Sequence, residues 1–131
     1  MRAVFFAILV FTASMTYAGP CDHIDRRLTA ERKVEIARAA AGQLNAKTVD
    51  VLEFFRSDSW TIAYVETPAA DGAYLFFSGD PLESHYVTLW SGAARRDEEQ
   101  TIFDWTKKNA PHIPDRLAQC FASRVTKEQD R

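Results

Sequence analysis

The chain has 131 residues, with 16 basic and 18 acidic side chains and a net charge of −2. That length suits one domain and is too short for two comfortable ones. The balanced charge excludes the positive footprint that nonspecific nucleic-acid binding requires, and no run of like charge marks a tail or tether.

Residues 1–18 read as a cleaved secretory signal peptide. Arg2 gives a positive start, Ala3 to Ala13 form an apolar run, and Thr16 and Ala18 are the small residues before a cut after Ala18. The run is shorter than the roughly 20 residues a membrane-spanning helix needs. Pro20 directly before Cys21, with no leucine three residues ahead of it, argues against lipid attachment at that cysteine. Residues 19–131 are therefore expected to be a single exported domain, periplasmic or secreted, with no stable membrane insertion.

Cys21 and Cys120 stand near opposite ends of that domain. An even pair in an oxidising compartment predicts one disulfide. Two separated cysteines make neither a four-cysteine metal site nor a CxxC redox pair.

Thr29 is the expected N-cap of a helix from Ala30 to Leu44, with Val34, Ala37, Ala41 and Leu44 on one apolar stripe. Residues 47–56 favour strand, but the alternation around Val49, Val51, Phe54 and Phe55 is broken, as at a bulge. Ser57-Asp58-Ser59 reads as a turn, and Trp60 to Thr67 as a strand. Pro68 to Gly72 reads as the next turn, with Asp71-Gly72 its strongest signal. Ala73 to Ser78 and Tyr86 to Ser91 are the third and fourth strands, separated by a loop that starts at Gly79-Asp80-Pro81. Asp97 to Asn109 suits a helix, with acids at its start and Lys107 and Lys108 at its end. Pro114 opens a last helix whose stripe is Leu117, Cys120, Phe121 and Arg124.

These elements predict an α+β domain. A four-stranded antiparallel meander carries one N-terminal helix and two C-terminal helices, all packed on one face. The other face is then expected to present Trp60, Tyr64, Tyr74, Phe76, Tyr86 and Trp90 as an aromatic surface for a partner.

Two other groups carry chemistry. Asp80, Glu83 and His85 share one loop, where a carboxylate can orient an imidazole for general-base work; the nearby hydroxyls are Ser78, Ser84 and Ser91. Asp22, His23 and Asp25 offer oxygen and imidazole ligands beside Cys21. Neither signal is specific: a surface turn is the simpler reading of the second group, and the Asp80–His85 loop could instead be a contact loop of a binding protein. Ser91-Gly92 with Arg95 and Arg96 suggests an anion site, more simply a charged approach to a helix, and His112 suggests a packing or capping residue in the link between the last helices. No GxSxG, HExxH or phosphate-binding glycine loop is present. No cofactor is expected.

The leading expectation is an exported protein of noncatalytic type that binds another macromolecule, as an inhibitor, an immunity protein or an envelope accessory subunit. One alternative is a small periplasmic hydrolase using the Asp80–His85 loop. The other is a small-molecule carrier with a hollow core lined by Phe76, Trp90 and Phe103.

Overall fold

The computed structural model describes residues 9–13 and 19–127. The expected cleavage site after Ala18 lies outside the described residues. Elements follow the order helix α1 (Ala30–Leu44), strands β1 (Asp50–Ser57), β2 (Trp60–Thr67), β3 (Ala70–Phe77) and β4 (Thr88–Ser91), then helices α2 (Glu99–Asn109) and α3 (Asp115–Lys127). A single 3-10 turn at Arg96–Glu98 leads into α2. The four strands form one antiparallel sheet in the order β1-β2-β3-β4. The expected meander and helix complement are present.

Thr29 caps α1 as expected: its hydroxyl accepts from the Arg32 amide at 3.1 Å. The far end closes on Asn45 at φ 53, whose amide reaches Ala41 and Gly42 carbonyls, while Ala46 N–H also bonds Ala41. Asparagine tolerates this left-handed position, and the paired bonds satisfy the last carbonyls. The buried side of α1 is rotated from the expected stripe. Ile36 and Ala40 are its buried residues, with Ala37 and Leu44 beside them, and Val34 points outward at 56% exposure. The alanine-rich composition made several stripes look alike.

The broken pattern in β1 is a bulge. Val51 pairs with Val65 and Glu53 with Tyr64, so Leu52 has no opposite number. The extra residue shifts the alternation, and Leu52 is left exposed. The second hairpin turns earlier than expected. Pro68 and Ala69 make the turn, and β3 begins at Ala70. Asp71-Gly72 is therefore in the strand, because the chain uses proline to start the turn and keeps the glycine for a packing role.

The helices divide between the two faces of the sheet instead of sharing one. Ile36 and Ala40 of α1 pack with Val51, Phe54, Ala63, Val65, Leu75 and Phe77. On the opposite face, Phe55, Ile62, Tyr74 and Phe76 pack with Ile102 of α2 and Leu117, Phe121 and Val125 of α3. Neighbours such as Phe54 and Phe55, or Leu75 and Phe76, go to opposite cores, as strand alternation demands. Both faces are apolar at the centre, so each needs a cover.

Cys21 and Cys120 form the expected disulfide, with an S–S distance of 2.06 Å across a sequence separation of 99. It ties the lead-in segment to α3. The lead-in also joins the sheet: Asp25 and Arg56 exchange both backbone hydrogen bonds, at 3.0 and 2.8 Å. No helix among the described residues is long and apolar enough to cross a membrane.

Candidate functional site

One row of side chains crosses the whole sheet on the α3 face. Glu53 on β1 pairs with Tyr64 on β2, Tyr64 with Tyr74 on β3, and Tyr74 with Trp90 on β4. Tyr64 and Tyr74 have ring centres 4.5 Å apart, and Tyr74 and Trp90 are 6.1 Å apart. Phe121 of α3 closes over this row, 5.0 Å from the Tyr74 ring and 5.8 Å from Trp90. These tilted and edge-on contacts are the arrangements that aromatic quadrupoles favour.

The row ends in charge. Glu53 bonds Arg124 of α3 and, at 3.3 Å, Arg26 of the lead-in. The Tyr74 hydroxyl donates to the other Glu53 oxygen at 3.4 Å. Both guanidinium groups also lie over the Phe55 ring, at 4.7 Å for Arg26 and 5.9 Å for Arg124. Glu53 and Arg124 are each about one-fifth exposed, so their pairing is more shielded than a surface bridge. Burial raises the Tyr64 pKa, and the Glu66 and Glu53 carboxylates push it further the same way, which keeps Tyr64 a neutral phenol.

Beyond the row a cleft opens, of about 130 Å3, lined by Tyr64, Gly72, Tyr74, Trp90, Gly92, Arg124 and Val125. Two glycines line it. Tyr64 lies across the bare backbone of Gly72. Gly92, at φ 119, ends β4 in a conformation that side chains rarely adopt.

The six aromatic residues expected to form an open face are placed differently. Trp60, Tyr74 and Phe76 are buried under α2 and α3. Tyr86 lies on the α1 side, packed against that core. Tyr64, Tyr74 and Trp90 are the three brought together, as walls of the cleft. The correction follows from α2 and α3: they cover this face, and the row beside the end of α3 keeps an opening. Reading the sequence for partner-binding residues missed Arg124 and Glu53. Each carried a signal, since Arg124 falls on the apolar stripe of α3 and Glu53 interrupts an apolar strand.

The Asp80–His85 loop is held by other tasks. Asp80 takes Arg32 at 2.7 Å and caps the Leu82 amide at 2.8 Å. Partial burial pushes its carboxyl up, but the Leu82 amide and Arg32 outweigh that and hold it below the ordinary aspartate range. Ser84 donates its hydroxyl to the Asp80 carbonyl at 2.7 Å. His85 sets Nδ1 2.8 Å from the Tyr86 carbonyl and its ring 4.4 Å from Tyr86. Gln43 of α1 fixes the rest, bonding the Pro81 and Ser84 carbonyls and the Tyr86 amide. Glu83 is exposed. Among the described residues no carboxylate is hydrogen-bonded to this imidazole.

Asp22 accepts from the Gly19 amide, Asp25 from Arg27, and His23 is exposed. The Arg27 side chain and then its amide hold the Asp25 carboxyl below its usual range. Among the described residues no three His, Cys, Asp or Glu side chains converge as metal ligands. Arg95 is committed to Asp97 and Glu98, both at 3.1 Å. His112 is exposed, at φ 71, in the turn between α2 and α3. Phe76 is fully buried, with Trp105 and Phe121 in edge contact, so rings fill the space a carrier would leave hollow.

No protein-family model, curated protein or solved structure matches this chain.

Proposed function

We propose that this is an exported, disulfide-closed protein of noncatalytic type that binds another macromolecule through the cleft beside Arg124. The observation that carries the reading is composition concentrated in one place: Tyr64, Tyr74, Trp90 and Arg124 share a single small cleft. Tyrosine, tryptophan and arginine dominate the centres of protein interfaces, in pockets that exclude water. At about 130 Å3 the cleft has the scale of one planar side chain, since a cavity of about 150 Å3 holds benzene. The partner is thus read as offering one anchoring side chain, with the cleft walls stacking on it and the Arg124 guanidinium meeting its polar edge. The closed Cys21–Cys120 bridge supports export, because such bonds persist in oxidising compartments. The reading covers an inhibitor, an immunity protein or an envelope accessory subunit.

The test is capture from envelope extract with the oxidised protein, identified by mass spectrometry, beside a Trp90→Ala bait of the same fold by circular dichroism. A macromolecule retained by the first and lost by the second supports the reading. Retention that ignores Trp90, or no retention by a folded bait, overturns it.

A further inference from the structure

The lead-in is tied to the fold at successive points. Cys21 is bonded to Cys120, Ile24 is buried in the core under α2 and α3, and Asp25 pairs with Arg56. At its start the chain turns on itself. The Asp22 amide donates to the Gly19 carbonyl at 3.2 Å, and the Ile24 amide to the Cys21 carbonyl at 3.1 Å. The Asp22 side chain closes the same turn from the other direction: its Oδ2 accepts from the Gly19 amide. Its Oδ1 lies so near that a β-carbon added to Gly19 would sit 3.0 Å from it. The bare glycine thus lets both carboxylate oxygens approach the residue that a cut after Ala18 makes the first of the chain. The groove beside it brings in three cations. Gly19 and Asp22 line it together with Arg26 of the lead-in and Arg124 and Lys127 of α3, and Asp22 is the one acid among the described lining residues. Arg26 and Arg124 share Glu53 behind it, and Lys127 reaches Ser123 and Glu99.

We propose that Asp22 is the seat of a new amino terminus: cleavage after Ala18 leaves an ammonium on Gly19, and the Asp22 carboxylate, already in place, binds it as an ion pair. The inference rests on the export reading, because processing is what creates the charge. Hydrolysis of the Ala18–Gly19 bond consumes one water. The carboxylate leaves with Ala18, and Gly19 keeps an amine that is protonated below a pKa of about 8. The atom that offers Asp22 one amide hydrogen before the cut then offers three, with a positive charge. A hydrogen bond of that charge-assisted kind is roughly twice as strong as a neutral one. Asp22 also decides the electrostatics of the new terminus. Without it the ammonium would meet Arg26, Arg124 and Lys127, which favour the neutral amine; with it the ammonium has a counter-ion in contact. The pair latches the first residue of the processed chain beside the disulfide, so that the lead-in is held from Gly19 to Asp25.

The full chain, labelled with carbon-13 at the glycine Cα atoms and expressed in an exporting host, supplies the test. The intact mass of the purified protein comes first: a chain starting at Gly19 is expected, and any other start overturns the processing and the seat with it. On protein of that mass, the Gly19 Cα resonance is followed against pH by nuclear magnetic resonance. The amino pKa is expected to lie about 0.5 above that of Asp22→Asn, about a threefold tighter hold on the proton, as suits a pair open to water. Asparagine keeps an oxygen that accepts from Gly19, so the comparison isolates the charge. Asp22 is exposed, and the variant should retain the wild-type circular dichroism and the Cys21–Cys120 bridge. Equal amino pKa values in the two folded proteins, both starting at Gly19, overturn the seat and leave the export reading standing.

Discussion

The Tyr64 ring rests directly on Gly72: a β-carbon at position 72 would fall 2.0 Å from the Tyr64 hydroxyl oxygen and 2.4 Å from its Cζ. No side chain fits there while the ring stays, and Tyr74 holds the ring from the other side. The glycine is thus the floor of the cleft. Gly72→Ala is expected to swing Tyr64 out of place and cost about 1–3 kcal/mol, the range for overpacking. Urea unfolding measures the loss. A stability within experimental error of wild type would show that the ring is not fixed by this contact.

Glu53 is the anion between two cations, Arg26 and Arg124. Glu53→Gln leaves those guanidinium groups facing each other over the Phe55 ring. The cost is expected near 1–3 kcal/mol, less than for a fully buried charge because both partners keep some contact with water. Arg124→Met in the same background should recover part of it, since it removes the unbalanced charge. A double-mutant cycle followed by thermal unfolding tests this; strict additivity would mean that the two groups are not coupled.

Gln43 ties α1 to the loop ahead of β4 by bonds to the Pro81 and Ser84 carbonyls and the Tyr86 amide. Gln43→Ala is expected to cost about 1–3 kcal/mol, because those groups lose partners in a half-buried setting. The local effect is the sharper one. Amide exchange at Tyr86 should accelerate at least tenfold while amides of β2 keep their protection.

Asp80 titrates low in the folded state, owing to the Leu82 amide and Arg32 acting against partial burial. A carboxyl that is low when folded and ordinary when unfolded stabilises the fold above about pH 4, and loses that contribution as the pH drops toward its folded value. Asp80→Asn removes the titration. Wild type should therefore be the more stable of the two at pH 7, with the gap closing as the pH falls below about 4, the ordinary aspartate value. The gap itself should be small, about 0.2–1 kcal/mol, because both partners are partly exposed. A difference that stays constant over that range would show that Asp80 acts only through uncharged hydrogen bonds.

The Cys21–Cys120 bridge closes a loop with a sequence separation of 99. In the chain-entropy picture its reduction should cost about 4–5 kcal/mol. Urea midpoints with and without reductant measure this. The lead-in is expected to loosen first, seen as faster exchange of the Asp25 amide, which bonds to Arg56 in the oxidised fold. Equal midpoints would mean that the unfolded chain gains little freedom from the break.

Much of this fold is written locally, and local physics explains which parts. Thr29, the Ala30–Leu44 helix and the Trp60–Thr67 strand depend on neighbours in sequence: a hydroxyl one turn from an amide, helix-forming side chains, and a run of aromatic and β-branched residues. The disulfide was legible from the even cysteine count together with the expected export. Asp71-Gly72 misled because a turn signal and a packing requirement use the same residue, and only the position of Tyr64 decides between them.

The sequence by itself determined the element order, the meander and the cross-link, since short connections leave antiparallel neighbours as the ready solution. Tertiary structure alone decided which helix covers which face. A sheet with apolar residues on both sides accepts helices on either, and the choice depends on how chain segments far apart in sequence meet. That choice buried Trp60 and Phe76, left Trp90 beside a cleft, and turned Arg124 from a charge on an apolar stripe into the partner of Glu53.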